Sequence, residues 1–180
     1  MDGGLSDVEL PDMSEGELSE TISPGMRTGV LAAAMLEQAC RDHEAAGDEE
    51  RLGLYLESVG DLARSINQEL EALDGHSARD GINASRENLP TQALLVSAAL
   101  RTADLANLAV CTLPELPRNG PAYLRTAAAA RLAAAATRSM ALERRSLSAP
   151  GDYESRDLRG AEWRASLASS QVEETLQEGT

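Results

Sequence analysis

Between residues 127 and 136 the chain reads AAAARLAAAA, and this run limits the fold more than any other feature. Alanine forms helix with no loss of side-chain entropy, yet it fills little volume. Helices rich in it bury apolar surface only by approaching one another closely. Little else supplies bulk, since the sequence has no Phe, one Trp and three Tyr. β-Branched residues are few and scattered. A chain of 180 residues can enclose one substantial core. The expectation is an all-α domain, an up-and-down bundle of five to six helices over residues 21–180.

Breakers and apolar periodicity place the helices. The first starts after Pro24-Gly25 and runs to Ala46, where Gly47-Asp48 stops it. The second carries Leu52, Leu56, Val59, Ala63, Ile66, Leu70 and Leu73 at spacings of four and three, a seam for an antiparallel neighbour or a partner helix. Asp74-Gly75 predicts its end, and a short polar helix is expected between Ser77 and Asn88. Leu89-Pro90 marks a boundary, and the most apolar helix follows it, from Thr91, able to cap it, to about Cys111. A loop dense in breakers, TLPELPRNGP, separates it from the alanine-rich helix that ends near Leu147. The last helix, Tyr153 to Gln177, aligns Leu158, Ala161, Ala165, Ala168, Val172 and Leu176. Trp163 falls opposite that stripe and is expected outside the core. Residues 1–20 hold seven acids and no base, and are expected to be loosely ordered.

All 16 basic residues are Arg, and the net charge is −14. Such a surface repels nucleic acid and anionic lipid, which are poor partners for it. It suits a salt-rich cytoplasm, where screening relieves self-repulsion. Stability measured against added salt should therefore rise. No basic stretch followed by an apolar block opens the chain, and the longest apolar run, 127–136, is too short to span a membrane. A cytoplasmic protein is expected.

Few motifs carry chemistry. Cys40 and Cys111 suit no zinc spacing and read as buried free thiols. His43 and His76 lack the Glu three residues earlier that a di-iron bundle requires, so no metal is expected. There is no nucleophile elbow and no Gly-rich phosphate loop. Two places remain. The segment DGHSARDGINASREN gathers Asp74, His76, Asp80 and Asn83, either as a polar turn at the bundle's end or as an acid–base site. At Ser23-Pro24-Gly25-Met26-Arg27-Thr28, a helix start offers amides and a dipole to an anion, and Arg27 adds a positive charge. A well-capped helix packed through Gly29 explains the same residues without a ligand.

The order of these parts resembles the cyclodeaminase/cyclohydrolase family. That family comprises the C-terminal domain of formiminotransferase-cyclodeaminase and stand-alone methenyltetrahydrofolate cyclohydrolases. Its Pro-Gly-Gly-Gly-Ser turn before an alanine-rich helix is similar to Pro24-Gly25-Met26-Arg27-Thr28 followed by GVLAAAMLEQA. Its long helix leading through an acidic segment to Leu-Pro is similar to LARSINQELEALDGHSARDGINASRENLP, and its late helix to RNGPAYLRTAAAARLAAAATRSMALERRSL. Met26 and Arg27 replace two of the three glycines, and no Asn stands at Glu143 to Ser146, where the family carries asparagines. The resemblance implies a homodimeric bundle acting on a tetrahydrofolate derivative, a small anionic substrate, without a metal. The reaction would be loss of ammonia from 5-formimidoyltetrahydrofolate or hydrolysis of the methenyl form. Gly25, Arg27 and Thr28 would hold the glutamate tail, and Asp74, His76 or Asp80 would handle the proton. The competing expectation is a non-catalytic dimeric bundle that lacks this activity. An adenosyltransferase-like bundle is a third possibility, for which Gly3-Gly4-Leu5-Ser6 is a poor ATP loop.

Overall fold

Helices form where apolar periodicity predicts them. The computed structural model describes residues 23–44, 50–80, 89–118, 120–147 and 156–177, with the side chains of 43, 44, 50–52, 73–80 and 89–91 excepted. The helices are α1 (Pro24–Glu44), α2 (Glu50–Asp80), α3 (Leu89–Thr112), α4 (Pro121–Ser146) and α5 (Arg156–Gln177). A 3-10 turn, Leu113–Glu115, follows α3. Among the described residues there is no strand. The acidic segment 1–20 lies outside the described residues.

One boundary differs from expectation. α2 runs unbroken through Gly75 to Asp80. A single internal glycine costs about 1 kcal/mol relative to alanine. That is too little to stop a helix of 31 residues. The separate helix expected between Ser77 and Asn88 is thus absorbed into α2 as far as Asp80, and residues 81–88 lie outside the described residues.

Side-chain ties between helices give the direction of each. Glu37 of α1 accepts from Arg64 of α2 at 2.7 Å, and Glu69 of α2 pairs with Arg101 of α3 at 2.6 Å. Gln92 near the start of α3 donates to the Leu147 carbonyl just past α4, whereas Thr102 meets Thr137 deeper in the same pair. Arg145 and Arg131 of α4 reach Glu162 and Glu173 of α5. With Gly29 of α1 against Leu70 of α2 and Thr102 of α3, and Cys40 of α1 against Gly60 of α2, successive helices alternate in direction. α4 packs against α1, α3 and α5, while α2 lies mainly on α1 and more lightly on α3. α3 is long and apolar enough by composition to cross a membrane, with a mean hydropathy of 1.4. In the bundle it is covered by α4, α5 and α2.

The core follows from the alanine content. Eight of the twelve buried residues of α4 are alanines, so the bulk comes from its neighbours. Leu36, Leu56, Leu70, Leu105, Leu113 and Leu158 are all fully buried. The α2 seam from Leu56 to Leu70 and the α5 stripe from Leu158 to Val172 both face inward, as their spacing predicts. Trp163 is 67% exposed on the opposite side of α5. Cys40 is buried, but Cys111 is exposed, contrary to expectation. It stands two positions after buried Ala109, a step that turns it by about 200° to the outer side. α3 is apolar around most of its circumference, so apolar neighbours in sequence did not reveal burial.

Buried hydroxyls tie α3 to α4. Thr102 and Thr137 lie 2.8 Å apart, and each also reaches a carbonyl of its own helix. Each hydroxyl has one proton, so one threonine donates to the other and the second donates to backbone. Thr126 lacks such an arrangement: among the described residues its buried hydroxyl has no partner. Thr126→Val should therefore raise stability by about 1 kcal/mol, or about 2–4 °C in Tm. A lowered Tm in thermal unfolding would show instead that the hydroxyl is hydrated.

Candidate functional site

The start of α1 is a capped and occupied helix terminus. Ser23 precedes Pro24, whose fixed φ suits the first helical position. The Ser23 hydroxyl accepts from the Met26 amide at 3.2 Å, and the Ser23 carbonyl accepts from the Arg27 amide at 3.1 Å. That leaves the Gly25 amide, which donates to Glu143 Oε1 of α4 at 3.2 Å. Glu143 Oε2 accepts from the Ser23 hydroxyl at 2.5 Å, and Ser139, one turn earlier on α4, donates to Oε1 at 3.1 Å. A carboxylate from the chain itself thus fills the place where the sequence predicts a ligand anion, by the same amide and dipole chemistry.

The glycines bring the helices close enough for this. A Cβ on Gly25 would lie 2.5 Å from Met140 Cγ and 3.0–3.1 Å from the α4 backbone at Met140 and Ala136. A Cβ on Gly29 would lie 2.6 Å from Thr102 Cγ2 and 3.1 Å from Leu70 Cδ1. Gly25 and Gly29 therefore let α1 touch α4, α3 and α2 at once.

The other expected site residues divide into two groups. Arg27 is exposed and forms no ion pair among the described residues. Thr28 donates its hydroxyl to the Pro24 carbonyl at 2.8 Å. Asp74, His76 and Asp80 lie on the last turns of α2, with side chains outside the described residues. Their end of the bundle is fixed by the backbone. Gly29 meets Leu70, whereas Cys40 faces Gly60, so α2 climbs toward the start of α1 and carries residues 74–80 past it. Both groups occupy one end of the bundle.

At the far end of α1, Asp42 accepts from Gln38 at 2.7 Å and pairs with Arg125 of α4. The Gln38 bond, aided by the Arg125 guanidinium, holds the Asp42 carboxyl below its ordinary value. A depressed carboxyl stabilises the fold above its unfolded pKa, and that contribution is lost as pH falls through the folded one. This α1–α4 tie should fail only in acid. Among the described residues, no group of three or more His, Cys, Asp or Glu converges on a metal-sized site.

Sequence reasoning did not single out Glu143 as a site residue. A signal was present: α4 carries five arginines, and Glu143 is its one acid. No family model, no curated protein and no solved structure matches this chain.

Proposed function

We propose that the chain is a non-catalytic helical bundle, whose unusual helix start serves packing between α1 and α4. The observation that carries this reading is the Glu143 carboxylate seated on the Gly25 amide and the Ser23 hydroxyl. With the Met26 and Arg27 amides also paired, that first turn has no backbone amide left for a substrate carboxylate. The proposal includes a homodimer. Exposed Leu54, Tyr55 and Leu62 on α2 support it, since α2 lies at the edge of the bundle. Sedimentation as a monomer at all concentrations would remove that element.

One observation favours a second reading, a folate cyclodeaminase or cyclohydrolase. Antiparallel pairing sets residues 74–80 at the same end as Arg27, which has no ion pair among the described residues. There Arg27 would attract a polyanionic tail, with Asp74, His76 or Asp80 serving the proton. Thermal shift with tetrahydrofolate derivatives in high salt separates the two, with absorbance assay of methenyl turnover. The first reading expects no shift and no turnover. Binding at one hundred times Kd would add about 2.7 kcal/mol, which no scaffold reading accommodates.

A further inference from the structure

The outer face of α4 is basic, in a chain whose net charge is −14. Leu124 and Leu142, 53% and 63% exposed, mark its two ends. Between them lie Arg138, which is exposed and makes no ion pair among the described residues, and Arg131, an exposed residue whose guanidinium stands 3.9 Å from the exposed Glu173 of α5. Leu31 is exposed on α1 between the points where α1 meets α4, at Gly25 and at Asp42. Apolar and cationic residues thus share one row about 27 Å long, from the helical rise over 18 residues.

A complementary segment belongs to the same chain. Residues 1–22 carry seven acids and no base, interleaved with Leu5, Val8, Leu10, Met13 and Leu18. They join the fold at Ser23, whose hydroxyl is bonded to Glu143, the neighbour of Leu142. At an extended reach of about 3.3 Å per residue, or a helical rise of about 1.5 Å, the segment is long enough to follow the row. Tethering raises its effective concentration at that face, so weak contacts suffice. Charge also selects among apolar surfaces. Leu54, Tyr55 and Leu62 lie beside Glu57 and Asp61, which would repel an acidic segment.

We propose that residues 1–22 dock along the outer face of α4, with their acids against Arg131 and Arg138 and their apolar residues against Leu142, Leu31 and Leu124.

The test uses the full chain with Cys111→Ser, which removes the exposed thiol, and a spin label on Ser14→Cys. Amide signals along the outer face of residues 124–142 should be lost, and return when the label is reduced. The loss should not depend on protein concentration. It should vanish in Arg131→Glu/Arg138→Glu and weaken at 1 M salt, where the screening length is about 3 Å. Both arginines are exposed, and unchanged helicity of the variant would show that the fold survives. Signals that stay intact, or are lost elsewhere, overturn the proposal. A loss that disappears on dilution also overturns it, because the segment would then come from a second copy.

Discussion

Gly25→Ala should destabilise the protein by about 3 kcal/mol, the upper part of the range for overpacking a core. For a domain of this size that is about 6–12 °C in Tm. The added Cβ meets Met140 Cγ at 2.5 Å, and Met140 is fully buried. Turning Met140 aside does not relieve the clash, because its backbone nitrogen and the Ala136 carbonyl stand at 3.0–3.1 Å. Relief requires α1 and α4 to separate, which would also stretch the Gly25–Glu143 bond. Better helix propensity returns at most about 1 kcal/mol. Two other glycines give the control. At Gly60 the nearest atom is Cys40 Cβ at an ordinary 3.6 Å, and at Gly160 nothing lies within 4 Å. Alanine at either should be neutral or stabilise by about 0.4–1 kcal/mol. If all three substitutions have the same sign, helix contact is not what Gly25 provides.

The bundle was legible because helix periodicity survives without bulky residues. Leu56, Val59, Ala63, Ile66 and Leu70 lie at the spacing that one buried face requires, and all five are buried. A single glycine is a weak stop in a long helix, since Gly75 sits inside α2. Apolar context was also a weak guide on α3, where Cys111 faces outward. At the start of α1 the local chemistry was readable: a serine cap, a proline and an amide suited to an anion. The identity of that anion was not, because Glu143 lies 118 residues from Gly25 in sequence. Only the antiparallel packing of α1 on α4 joins them. The arginine excess of α4 could have raised the question of why one acid stands among five bases.

Glu143→Ala should cost about 2–3 kcal/mol. Hydrogen bonds to a charged group contribute about 1.5–3 kcal/mol, and Glu143 accepts from Ser23, Gly25 and Ser139. Ser23 is only 6% exposed, so its hydroxyl would not regain full hydration. Ser23→Ala alone should cost about 0.5–2 kcal/mol, since it removes the cap on Met26 as well. In the double variant the losses should fall short of their sum by about 1 kcal/mol or more, because the two share a bond. Glu143→Gln keeps the shape and one acceptor but not the charge, and should lie between Glu143→Ala and the parent. The same variants bear on function. Once the carboxylate is gone, the Gly25 amide and the helix dipole are available to an outside anion. Inorganic phosphate should then raise the Tm of Glu143→Ala more than that of the parent. An equal rise in both would mean that phosphate binds elsewhere, and would leave the internal carboxylate with no bearing on ligand access.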